Sequence, residues 1–200
     1  MMTGQAIPAI PAPQGTHRSD AVRLFAGFAG LGAAAVNLAV ASSLFAAAGA
    51  NFPGRVGGAA AALLWGAALL GWTVAGLSRN RFPMPRASAL LLPAAAAVHV
   101  AAIVFGAGSG MAGLGISHLA AVLLTLMIRA ATSWLSRESP NLSGAPGQNT
   151  SGRLGAGTLL AAAFAGAVLV AAITTPGLAA STAGQFAVPH GEHTGSHHSP

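Results

Sequence analysis

Residues 88–107 read SALLLPAAAAVHVAAIVFGA. The stretch contains no Asp, Glu, Lys or Arg, and its one ionisable side chain is His99. A helix rising ~1.5 Å per residue covers ~30 Å in that length, the thickness of a bilayer's hydrocarbon core. Polar residues do not alternate with apolar ones, which excludes a strand of a membrane β-barrel. The stretch therefore reads as a transmembrane helix, with Pro93 expected to kink it.

Four more blocks of the same kind flank it. They are LFAGFAGLGAAAVNLAVASSLFAAAG over 24–49, AAAALLWGAALLGWTVAGLS over 59–78, LGISHLAAVLLTLMIRAATSW over 114–134 and AGTLLAAAFAGAVLVAAITT over 156–175. Only 6% of the residues are charged, against about 25% in an ordinary soluble domain. Hydrophobic residues make up 54% and the mean hydropathy is +0.66. Too few polar groups exist to cover a water-exposed surface, so lipid is the expected solvent. The fold class is all-α: a bundle of five transmembrane helices, with disordered termini.

The connections divide the chain. Residues 1–20 carry three prolines and read as a flexible lead, 21–176 as the membrane domain, and 177–200 as a tail. NFPGRVGG and GSGMAG suit tight helical hairpins, whereas SRESPNLSGAPGQNTSGR is a longer polar link. The arginines orient the bundle. Arg18, Arg23, Arg79, Arg81, Arg86, Arg129, Arg137 and Arg153 fall on one side, and only Arg55 falls on the other. By the positive-inside rule the N-terminus is cytoplasmic and the C-terminus outside. Asn141 and Asn149 match the glycosylation pattern but lie on the inner side and are read as idle. Ala48-Gly49-Ala50 has the small residues of a signal-peptidase site. The apolar block before it exceeds the ~7–15 residues of a signal core, so an uncleaved helix is expected. The arginines form no basic stripe and have no interleaved aromatics, which argues against nucleic acid as a partner.

Membrane helices associate through small residues and polar contacts. Ala26 and Gly30, Ala29 and Ala33, and Ala162 and Gly166 have small-xxx-small spacing. They serve either close packing within the chain or a partner subunit, including a second copy. Three polar residues inside spans stand out: Asn37, His99 and His118. An intramembrane ionisable group is a candidate functional residue. For His99 the plain alternative is a packed neutral imidazole bonded to Asn37, a threonine or a carbonyl. For His118 it is contact with interfacial water. As cofactor ligands, His99 and His118 would hold haem or a metal. Depths counted along the spans put the two ~8 Å apart, which strains a shared site. Arg129 is near enough to the inner face to snorkel.

No catalytic set is legible. Cysteine is absent, the acids are Asp20, Glu138 and Glu192 alone, and no phosphate loop or metalloprotease helix occurs. The chain is not expected to be an enzyme. Four of its seven histidines cluster in AVPHGEHTGSHHSP, residues 187–200. His190, His193, His197 and His198 with Glu192 form a candidate site for Cu, Ni or Zn, because imidazole suits these ions and a flexible strand can wrap one. The stretch TTPGLAASTAGQFAVPHGEH, residues 174–193, resembles the ending of small multi-pass membrane proteins of high-GC Gram-positive bacteria. That resemblance implies an extracytoplasmic tail and brings no activity with it. The expected function is an accessory protein of the bacterial cytoplasmic membrane that handles or senses a transition metal through its tail. The alternatives are a structural or assembly subunit of a larger membrane complex, and a haem-binding electron-transfer module using His99.

Overall fold

In a computed structural model, the structure describes residues 16–47, 53–106, 112–138 and 156–181. They form five helices: α1 Thr16–Ala47, α2 Pro53–Ser78, α3 Pro85–Gly106, α4 Ala112–Glu138 and α5 Ala156–Ala179. Each is long and apolar enough to cross a membrane. Proline opens α2 and α3, where its fixed φ suits the first helical position and no donor is lost. Within α3, Pro93 removes one helix donor, yet the helix runs on through it. α1 starts at Thr16, ahead of its apolar block and inside the stretch expected as a lead. Arg23 there pairs with Asp20 at 2.7 Å, one helical turn away. α5 continues past Pro176 to Ala179, because a proline in the last turn leaves later donors intact. The Ala180 N–H donates to the Pro176 carbonyl at 3.0 Å.

α1 is the hub and packs on α2, α4 and α5. The close approaches explain its glycines. A Cβ on Gly27 would lie 2.7 Å from Leu77 of α2, and one on Gly32 would lie 2.6 Å from Thr174 of α5. Gly30 fits against Thr73 in the same way. Ala26, Ala29 and Ala33 have no exposed surface, so this small-residue face is used inside the chain. Gly166 of α5 receives Phe25, and Gly177 receives Ala120 of α4. Val36 and Val40 of α1 meet Leu124 and Ile128 of α4 in the core. Large apolar residues point outward instead: Phe105 is 86% exposed and Leu90 75%. Small residues inside and large ones outside is the arrangement lipid permits, since lipid does not drive bulky side chains inward.

The α2–α3 turn folds back on α2. Asn80 adopts φ 52°, a left-handed helix end that asparagine tolerates. Phe82 stacks on Trp72 with ring centroids 4.5 Å apart, and Trp72 Nε1–H donates to the Pro83 carbonyl at 2.8 Å. Beyond this turn the helices part. α3 packs on α4, and the described residues of α2 and α3 make no close backbone contact.

Candidate functional site

The separation of α2 from α3 opens a cleft of about 830 Å³. Trp65 and Ala62 of α2 form one wall, and Leu91, Ala95 and Val98 of α3 form the other. Val40 of α1 and Leu114 of α4 also line it. Five polar residues lie along this apolar space: Arg55, Trp65, His99, His118 and Asn37, the last with no exposed surface. They come from all four helices, so no local segment of sequence contains the site.

His99 and His118 meet across α3 and α4, with Nδ1···Nδ1 2.9 Å and ring centroids 5.2 Å apart. The centroids exceed the nitrogens in separation by about one ring diameter, so the two nitrogens face each other along the line joining the rings. A single proton lies between them: two lone pairs would repel, and two N–H groups would clash. The depths counted from sequence, which held these residues apart, are corrected here. His99 lies seven residues before the end of α3 and His118 six residues after the start of α4, so counting from these two consecutive helix ends brings them level. Counting from opposite ends of spans of unequal length lost that register.

Asn37, one of the three partners considered for His99, is not bonded to it. Asn37 is fully buried and donates from Nδ2 to the Ala33 carbonyl of its own helix at 2.8 Å. Its Oδ1 has no partner, and neither has the Trp65 Nε1–H. Arg55, the lone arginine on its side of the chain, donates to the Ala47 carbonyl at 2.7 Å and so ties the start of α2 to the end of α1. Trp65 and Arg55 were not singled out as site residues. Neither carries a local signal, because only the parting of α2 from α3 makes them walls of one space. Arg129 bonds the Ser133 side chain one turn along α4. It does not line the cleft.

A metal ion does not fit between the paired nitrogens. Bonds of ~2.0–2.1 Å to each along one line require ~4 Å, well beyond their 2.9 Å separation. Among the described residues no group of three or more metal-binding side chains occurs. A metal or haem held here would use the outer Nε2 atoms. His190, Glu192, His193, His197 and His198 lie outside the described residues. The end of α5 lies beside the histidine pair. Ser117, next to His118, donates its hydroxyl to the Gly177 carbonyl at 2.7 Å, which fixes the end of α5 to the start of α4. No family model, curated protein or solved structure matches the chain.

Proposed function

We propose that this chain is a multi-pass protein of the bacterial cytoplasmic membrane that binds a lipophilic small molecule in the α2/α3 cleft. The N-terminus is inside and the C-terminus outside, as the eight-to-one distribution of arginines favours. One observation carries the binding reading: an apolar space of about 830 Å³ is lined by the paired imidazoles of His99 and His118, with the polar atoms of Asn37 and Trp65 behind its wall. Ligand sites are commonly apolar pockets with a few convergent polar groups. The bundle would act as a carrier, sensor or accessory subunit for the bound molecule, and no chemistry at the cleft is needed.

Organic extraction of protein purified in mild detergent tests this. A lipophilic compound other than bulk phospholipid should be recovered in near-stoichiometric amount. Ala95→Phe, which fills one wall, should lose it while circular dichroism stays helical. Equal recovery from both proteins, at the level of bulk lipid, would refute the reading.

The end of α5 favours a second reading. The Ser117–Gly177 bond sets the end of α5 beside the histidine pair, and the histidines that follow in sequence, His190, His193, His197 and His198, support a reading of transition-metal capture. If neither a lipophilic ligand nor a metal is bound, an assembly subunit of a larger complex becomes the better description.

A further inference from the structure

We infer that the cleft takes a neutral head group bearing carbonyl or hydroxyl oxygens, the chemistry of a quinone or its quinol, and that the His99–His118 pair recognises it. This rests on the cleft reading above and goes further by naming the ligand's class.

The first argument is charge. Among the described residues no carboxylate lines the cleft, so a cationic head would find no counter-charge there. Among the described residues the one cation lining it is Arg55, held at the rim by the Ala47 carbonyl. Deeper in, the groups are neutral: an indole, an amide and two imidazoles. An anionic head placed there would lose its hydration without gaining an ion pair, which is costly at membrane depth. A neutral head has no such penalty.

The second argument is hydrogen-bond arithmetic. With both rings neutral, the single proton between the Nδ1 atoms decides the outer nitrogens. The ring that donates at Nδ1 has a bare Nε2, and its partner carries Nε2–H. The pair therefore offers one acceptor and one donor. The unpartnered Asn37 Oδ1 and Trp65 Nε1–H have no accessible surface and add nothing to this count. One donor and one acceptor suit a carbonyl oxygen, which accepts, and a hydroxyl, which both donates and accepts.

The third argument is that the balance can turn over. Moving the shared proton from one Nδ1 to the other, with the outer nitrogens exchanging protons with the ligand or water, swaps which histidine donates. No net charge is created. A carbonyl needs a donor at the place where a hydroxyl can use an acceptor, and the pair supplies either. The oxidised and reduced forms of one ring compound should thus bind with affinities within about tenfold of each other, a difference of ~1.4 kcal/mol at most.

The test uses full-length protein in detergent and three radiolabelled probes: a decyl-substituted benzoquinone, its quinol and dodecanoate. The quinone and quinol should be retained and dodecanoate should not. His99→Phe and His118→Phe should each weaken quinone binding tenfold or more. The double variant should lose no more than either single one, because the pair acts as a unit. His99→Asn, which keeps a donor and an acceptor, should recover part of the affinity and guards against a folding defect. Stronger retention of dodecanoate than of quinone, lost in Ala95→Phe, would overturn the head-group assignment while leaving the cleft in use. Quinone binding untouched by both histidine variants would overturn it as well. Retention of no probe, together with bulk lipid only in the organic extract, would overturn the cleft reading itself.

Discussion

His99 shows how one polar side chain is accommodated at membrane depth. It is buried, and its partner is a second imidazole rather than an amide or carbonyl. Interhelical hydrogen bonds in membranes average ~0.6 kcal/mol, with ~1.7 at the upper end. His99→Leu should therefore lower bundle stability only modestly. A double-mutant cycle with His118→Leu should return a coupling of that size, read from denaturation in mixed micelles. A coupling near zero would mean that the two rings do not share a proton in the membrane. Arg55 acts differently, through the backbone. Its bond to the Ala47 carbonyl satisfies one of the acceptors that every helix C-terminus leaves open. Arg55→Gln should cost about 1 kcal/mol or less, since the side chain is only partly buried, and Arg55→Lys should restore part of it.

At the scale of the helix, α1 differs from the other four. It is the most enclosed span and touches three neighbours, and its glycines lie where those neighbours come closest. Gly30 meets Thr73, whereas a Cβ on Gly71 of α2 would point into open space. Gly30→Val should therefore separate α1 from α2. Overpacking of this kind costs ~1–3 kcal/mol or more. Gly71→Val should change stability by about 0.5 kcal/mol at most, as expected for a surface site. Thermal unfolding followed by size-exclusion chromatography distinguishes the two. Equal losses would mean that α2 also packs through Gly71, against a second chain. α3 is the least supported helix, resting on α4 alone, which is why a cleft can exist beside it.

Across the whole molecule, orientation and the tail can be checked together. A reporter active only outside the cytoplasm should work after Pro200 and fail within residues 141–150. Activity at both sites would rule out a single crossing between them. The tail histidines should bind Cu(II) more tightly than Zn(II), following the usual order of divalent affinities. Neutral imidazole is the ligand, and an unperturbed histidine titrates near pH ~6.5. Calorimetry should thus detect uptake at about pH 7.5 and little at about pH 5. Removal of residues 190–200 should abolish it without shifting thermal stability. Uptake that survives truncation would point to the outer nitrogens of His99 and His118 instead.

Sequence alone determined that this chain has five apolar helices, because span length and the lack of charge are local properties that lipid selects without reference to neighbours. It also marked Asn37, His99 and His118, since a polar residue inside an apolar run is visible one residue at a time. Their partners were decided only by the tertiary structure. The pairing of His99 with His118 depends on the register of α3 against α4, and neither the bond nor the burial of Asn37 follows from periodicity. The cleft depends on something less local still: α1 draws α2 to itself through Gly27 and Gly30, α4 holds α3, and nothing brings α2 and α3 together. Alanine and glycine are spread over every helix, so composition cannot tell a face that packs from one that stays open. Only close approach of particular backbones makes that choice, and it turned Trp65 and Arg55 into lining residues of one site.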